Sequence, residues 1–176
     1  MSLRVEHLDP DRHERSAFDS GNASLDDWLR KYAHQNDAKA NTGRTWVAVD
    51  DDDGSSGARG RIPIVGYVTI AAHAVTTEQA RAAVPKGSLP ELVPAALIAR
   101  LAVDREYQGR SLGGRLLRFA VERILAANAE VAVTLVVVDA IDASAADFYA
   151  HHRFFPVPGT SRLLARVSDL RAAFER

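Results

Sequence analysis

Leu101-Ala102-Val103-Asp104-Arg105-Glu106-Tyr107-Gln108-Gly109-Arg110-Ser111-Leu112-Gly113-Gly114 is the stretch that decides how this chain is read. Its first three residues close an apolar run from Ala95 that reads as a buried strand. The chain then turns within a few residues, and Leu112 opens a helix over 112–127. On that helix Arg115, Arg118 and Glu122 fall on one face, and Leu116, Leu117, Ala120 and Ile124 fall on the other. A helix entered from a glycine-rich turn presents unpaired backbone N–H groups and a partial positive charge. Gly109, Gly113 and Gly114 let a ligand approach the backbone, and Arg105, Arg110 and Arg115 add charge nearby. The combination predicts a site for an anion, most naturally a phosphate or pyrophosphate. The plainer alternative is a tight strand–helix turn with no ligand.

Two other motifs compete for the same residues. A P-loop is excluded, because no Gly-Lys-Ser/Thr follows at the required spacing. Gly109-Arg110-Ser111-Leu112-Gly113 formally matches the G-x-S-x-G nucleophile elbow of serine hydrolases. Asp139 or Asp142, then His151 or His152, follow in the matching chain order. Against that reading, the chain is short for such a fold, no HGGG-type segment supplies a second oxyanion donor, and both histidines sit at the same short helix.

Further along, 132–138 (AVTLVVV) reads as a buried central strand. It leads through Asp139 and Asp142 to a helix over 144–153, capped by Ser144 and bearing Phe148 and Tyr149. An aromatic pair is ordinarily core. If the Tyr149 hydroxyl faces a cleft, its phenol is suited to protonating a leaving thiolate. Working back from the opening stretch, 3–8 and 45–49 read as strands, 64–72 as a return strand, and 77–84 as a helix. Ser24 reads as the cap of a helix whose apolar face is Leu25, Trp28, Leu29 and Tyr32 and which fades near 41–43. The segment 50–61 (DDDDGSSGARGR) reads as a hairpin loop; its aspartates fail the register of a calcium loop. At the C-terminal end, 163–167 reads as a strand and 169–175 as a helical turn.

The chain has 176 residues, 47% of them hydrophobic and 26% charged, which suits a single globular domain over 1–176. Without cysteine it has no disulfide, no cysteine zinc site and no cysteine nucleophile. A net charge of −1 is unlike that of a protein that coats nucleic acid, although a local basic patch is compatible with it. No apolar stretch reaches the length of a membrane span, the N-terminus lacks the apolar core of a signal peptide, and no metal is expected. Strands alternating with helices argue for an α/β or α+β layer structure with a mixed sheet.

These residues resemble the GNAT superfamily of acetyl-CoA-dependent N-acetyltransferases. The family's acetyl-CoA signature is Q/R-x-x-G-x-G/A, matched by Gln108-Gly109-Arg110-Ser111-Leu112-Gly113 with Ser111 in place of the first glycine. A later family element resembles Asp142-x-x-Ala145-x-x-Phe148-Tyr149-x-x-x-Gly-Phe; here Arg153 replaces the glycine and Phe154 keeps the aromatic. Over nearly the whole chain the similarity is to the GNAT toxins of bacterial toxin–antitoxin modules. That branch looks like Phe18-x-x-Gly21-Asn22-x-x-Leu25-x-x-Trp28-Leu29, then Gly43-Arg44-Thr45, then Arg100-Leu101-Ala102-Val103-Asp104, with the Asp139-Ala140 and Phe148-Tyr149 pairs.

The resemblance implies a mixed, mostly antiparallel central sheet flanked by helices and splayed at the acetyl-CoA site. It implies a cytoplasmic enzyme that acetylates the α-amino group of aminoacyl-tRNA and blocks translation, with an antitoxin often of ribbon–helix–helix type and a possible homodimer. By resemblance, Leu101, Ala102 and Val103 lend backbone groups to the pantetheine arm of acetyl-CoA. Gln108, Gly109, Arg110, Ser111, Leu112, Gly113 and Gly114 hold its pyrophosphate, and Asp142 contacts it. Tyr149 is the general acid, and Arg44 and Arg100 contact tRNA. Two alternatives stand beside this: acetylation of a small-molecule or protein amine, and a degenerate domain that binds CoA or a partner without catalysis, suggested by Ser111 and Arg153.

Overall fold

A computed structural model describes residues 1–174. In chain order the elements are β1 (Leu3–His7), β2 (His13–Glu14), α1 (Ala23–Lys31), a π-helical turn (Gln35–Lys39), β3 (Arg44–Asp50), β4 (Ile62–Pro63), β5 (Gly66–Thr76) and α2 (Thr77–Ala80). There follow β6 (Leu92–Val103), a 3₁₀ turn (Arg105–Tyr107), α3 (Leu112–Ala127), β7 (Leu135–Asp139), α4 (Ala143–His151), β8 (Phe155–Pro156), β9 (Arg162–Arg166) and α5 (Val167–Phe174). Seven strands form one sheet in the order β1-β3-β5-β6-β7-β9-β8, and β2 pairs with β4 separately. The pairs β1–β3, β3–β5, β7–β9 and β8–β9 are antiparallel, while β6 and β7 run parallel. Parallel neighbours need a crossover, and α3 supplies it. The β6–β7 register runs from Ala95↔Leu135 to Ile98↔Val138, and β6 continues beyond it to Val103.

Two contact units are distinguished. The first holds Met1–Ile70 with Arg100–Ala120, and the second holds Ala71–Ala99 with the residues from Val121 onward. In the first, Phe18, Leu25, Leu29, Val47, Val49, Tyr67 and Ala102 form the core. Phe18 packs edge-on to Tyr67, whose hydroxyl donates to the Leu25 carbonyl at 2.8 Å. In the second, Val75, Val93, Ala95, Leu135, Val137 and Leu164 form the core. Leu135, Val136, Val137 and Val138 are all fully buried, as expected of a central strand covered on both faces.

Several boundaries differ from the sequence expectation, each for a local reason. The cap of α1 is Asn22 and not Ser24: its side chain accepts from Leu25 N–H at 3.1 Å, because Gly21 just before it takes φ 86 and turns the chain into the helix. Leu25 and Leu29 are buried and Trp28 packs on the core, but Tyr32, at the C-cap, is half exposed. The helix thus ends ten residues earlier than the apolar pattern suggests, and the π-helical turn follows. The expected helix over 77–84 is regular only as far as Ala80, since the bonds then slip to the i−3 spacing at Ala82 and Ala83. The cap of α4 is Asp142, accepting from Ala145 N–H at 2.7 Å, so Ser144 lies inside the helix. Of the turn expected over 169–175, α5 covers the part through Phe174, beginning earlier at Val167; Glu175 lies outside the described residues.

Candidate active site

The turn between β6 and α3 is welded to the segment that precedes α1. Asp104 caps the 3₁₀ turn by accepting from Glu106 N–H at 3.0 Å, and its other oxygen accepts from Asp19 N–H at 3.1 Å. Arg105 N–H donates to the Asp19 carbonyl at 2.9 Å, and its guanidinium lies 3.3 Å from the Asp19 carboxylate. Glycine suits position 21 because its φ of 86 lies in the region that residues with a Cβ rarely adopt. The Gln108 side-chain amide donates to the carbonyls of Val103 and Ser20, both at 2.9 Å. Gln108 therefore holds the turn in shape, a role its position in the motif does not disclose.

Beyond this brace the backbone opens. Gly109 takes φ 73 with open space where a Cβ would stand, and Gly109, Arg110 and Ser111 are exposed. The helical ladder of α3 begins with Arg115 N–H to the Ser111 carbonyl at 3.1 Å, so the amides of Leu112, Gly113 and Gly114 lie ahead of it. Arg110 lies over the Tyr107 ring at 5.3 Å, and the Tyr107 hydroxyl donates to Asp50 at 3.2 Å. Burial, then Asp53 and Asp50, push the Tyr107 phenol up to about 12, so it is a donor at every working pH. Free amides, a helix N-terminus and a held arginine together suit an anion.

Ser111 and Arg153 are the two residues that stand where the family motif has glycine, and both take positive φ, 62 and 71. Arg153 N–H donates to the Ala150 carbonyl at 3.1 Å and Phe154 N–H to the Tyr149 carbonyl at 3.1 Å, a Schellman closure of α4. The backbone keeps the glycine geometry at both places and carries the strain of a Cβ. Ser111→Gly and Arg153→Gly are each expected to raise the unfolding free energy by about 0.5–1 kcal/mol, after glycine's entropy loss is set against the strain removed. Urea titration of each variant measures this, and a destabilised Ser111→Gly would mean that the serine side chain holds the turn.

The second group of expected residues lies on α4, in the other unit. Tyr149 is buried, its ring edge-on to Phe148 and Phe154 at 5.2 and 5.8 Å. Burial alone pushes its phenol up to about 12. Asp142 is exposed and serves as the helix cap described above. The hydrolase reading fails on its own residues. Asp139 is bound by Nε and Nη2 of Arg162, Asp142 is engaged in its cap, and His152 Nδ1 donates to the Phe148 carbonyl at 2.7 Å. Neither aspartate is left to orient a catalytic histidine.

Arg44 and Arg100 also have structural partners. Arg44 donates to the Asp37 carbonyl and carboxylate at 2.8 and 3.0 Å, and Arg100 lies over the Trp28 ring at 5.2 Å, with Trp28 stacked on Tyr67. Asp37, in the π-helical turn, also accepts from Thr45 N–H at 3.0 Å and lies 2.8 Å from His7 Nε2. Sequence reasoning missed Asp37, and nothing in the residue pattern marks it. It also missed the cluster around Arg162.

Residues 6–154 match the family model described as "Acetyltransferase (GNAT) family", and the chain belongs to that family. A tRNA-acetylating toxin of Mycobacterium tuberculosis is 35% identical over 163 residues, covering 92% of this chain and 91% of that one. Among solved structures, AtaT complexed with acetyl-methionyl-tRNAfMet aligns with a TM-score of 0.82 at 22% identity, covering 98% of this chain and 99% of that one. A tyrosine-to-phenylalanine mutant of AtaT, bound to acetyl-CoA and to the C-terminus of its antitoxin AtaR, aligns with a TM-score of 0.79 at 21% identity, over 99% of each chain.

Proposed function

We propose that this chain is an acetyl-CoA-dependent toxin that acetylates the α-amino group of aminoacyl-tRNA and so blocks translation, the whole chain working as one domain. The observation that carries the reading is the braced turn at 108–114 with the amides of α3's start ahead of its helical ladder, in a chain alike nearly end to end to a tRNA-acetylating toxin. Acetyl-CoA supplies the acetyl group as an activated thioester. The amides of Leu112, Gly113 and Gly114, with Gly109, Arg110 and Ser111 around them, receive its pyrophosphate. Leu101, Ala102 and Val103 offer backbone groups to the pantetheine arm, and Asp142 adds a polar contact at the start of α4. Tyr149 donates to the departing sulfur. The amine attacks directly, since no cysteine can carry the acetyl group, and its proton passes to solvent. Arg44 and Arg100 meet tRNA phosphates. The positive φ kept at Ser111 and Arg153 supports this reading over a degenerate domain.

The reading includes cytoplasmic action, a cognate antitoxin of ribbon–helix–helix type and a homodimer. It is supported on the antitoxin by AtaT, which is solved with AtaR. No helix of the described residues is long and apolar enough to cross a membrane. The test supplies radiolabelled acetyl-CoA and total aminoacylated tRNA to the purified protein. Label is expected in the aminoacyl-tRNA fraction. Contact with about three phosphates is expected to weaken tRNA binding roughly 30-fold between about 50 and 200 mM salt. A salt-independent KM, with label entering free amines or protein instead, would move the substrate to that class.

A further inference from the structure

Arg162 opens β9, and its guanidinium joins three other elements of its unit. Nε and Nη2 donate to the two oxygens of Asp139, at the end of β7, at 2.8 and 3.0 Å. Nη1 donates to His73 Nε2, on β5, at 3.1 Å and to Gln79 Oε1, on α2, at 3.4 Å. The Arg162 side chain is only 19% exposed.

An arginine can only donate, so His73 Nε2 must accept and the ring proton must sit on Nδ1. His73 is therefore neutral while the contact exists, and the lone pair that would make it a base is already engaged. Protonation would remove the acceptor and set a second positive charge against Arg162. Burial and Arg162 both hold the His73 pKa below the ordinary histidine value, while Asp139 pulls the other way. The charged and polar groups facing His73 are thus Arg162 from β9, Asp139 from β7 and Gln79 from α2. Hydrogen bonds from Arg162 hold the Asp139 carboxyl below the usual range, so this pair stays charged.

The clamp acts on the turn that launches α4. Ala140 N–H donates to the Ser161 carbonyl at 2.9 Å, directly beside the paired residues Asp139 and Arg162. Only Ala140, Ile141 and the cap Asp142 separate Asp139 from α4, and Tyr149 stands on the second turn of that helix.

We propose that Arg162 is a positioning residue for Tyr149, fixing the end of β7 from which α4 is launched, and that it does so only while His73 is neutral. The proposal rests on the reading of Tyr149 as proton donor. Folded His73 resists protonation and unfolded His73 does not. The unfolded chain therefore takes up more protons below the ordinary histidine pKa, and the stability this group contributes is full above that value and lost as the pH falls through the folded one.

The experiment measures kcat and KM for acetyl transfer to aminoacyl-tRNA, and urea unfolding, across about pH 5 to 8. It compares wild type, His73→Gln, whose amide oxygen accepts without titrating, and His73→Lys, which is a permanent cation. His73→Gln is expected to keep wild-type kcat at the alkaline end and to lose part of the acid-side decline in both kcat and stability. His73→Lys is expected to lower kcat roughly 10- to 100-fold at every pH, as a small misplacement of a reacting group does, with the KM for acetyl-CoA unchanged. Wild-type kcat in His73→Lys, or pH profiles of wild type and His73→Gln that superimpose, overturns the proposal. The unfolding arm needs no activity. A Tyr149→Phe enzyme with full turnover, beside a His73-dependent stability profile, would mean that the Tyr149 reading has failed and the clamp has not.

Discussion

Tyr149→Phe is expected to lower kcat for acetyl transfer by about 10²- to 10⁴-fold while leaving acetyl-CoA affinity and the fold intact. The ring makes the structural contacts, edge-on to Phe148 and Phe154, and phenylalanine keeps them. The hydroxyl carries no hydrogen bond among the described residues, so its loss strands no partner, and the thermal midpoint should move by no more than about 3 °C. The sign of the pKa shift refines the chemistry. Burial raises the phenol to about 12, above an ordinary thiol, so complete proton transfer to the departing sulfur is uphill. In the proposed role Tyr149 therefore works as a hydrogen-bond donor that strengthens as negative charge gathers on sulfur, with solvent completing the protonation. It is protonated at all working pH values, so no alkaline limb below about pH 11 belongs to it. The rate should instead rise towards about pH 8, as the acceptor's α-amine loses its proton. Single-turnover rates of wild type and variant against pH measure this. An unchanged kcat in Tyr149→Phe would assign proton donation to solvent.

The elements that the sequence made legible are those whose pattern is set by local chemistry. The helix over 112–127 has the expected bounds because its two faces separate cleanly, and 135–138 is buried throughout because apolar, mostly β-branched residues leave no exposed face. Elements whose ends depend on partners remote in sequence were read less well. Whether Asn22 or Ser24 caps α1 depends on the turn at Gly21, which packs beside Arg105, remote in sequence. The turn at 108–114 is legible as a strand–glycine–helix sequence, but its brace is not, because Gln108 and Asp104 act through the backbone of residues 19 and 20. The Arg162 clamp gathers residues from β5, α2, β7 and β9 and has no linear signature at all. Gly66 is an intermediate case. A glycine opening a strand signals a close approach, but only the fold says of what.

Gly66→Val is expected to cost about 3 kcal/mol of stability and to weaken acetyl-CoA binding, the two effects sharing one cause. Gly66 begins β5 directly beneath α3. A Cβ added there would stand 2.9 Å from Leu116 Cδ1 and 3.2 Å from the Ala102 carbonyl oxygen, with Leu112 Cδ2 at 3.4 Å. The leucine tips can move, but the carbonyl belongs to β6 and cannot yield without disturbing the strand. Valine adds two further carbons to that contact. Leu112 and Leu116 are both fully buried, so relief has to come from lifting the first turns of α3. Those turns carry the amides of Leu112, Gly113 and Gly114, which form the proposed pyrophosphate site, and hydrogen bonds weaken steeply once alignment is lost. Gly66→Ala, which adds only the Cβ, should lie between wild type and valine in both measurements. Urea unfolding read beside acetyl-CoA titration calorimetry separates the possibilities. Loss of stability with unchanged affinity would mean that the strain is absorbed in the core, and that the turn at 108–114 is held by the Gln108 and Asp104 brace without help from the packing of α3.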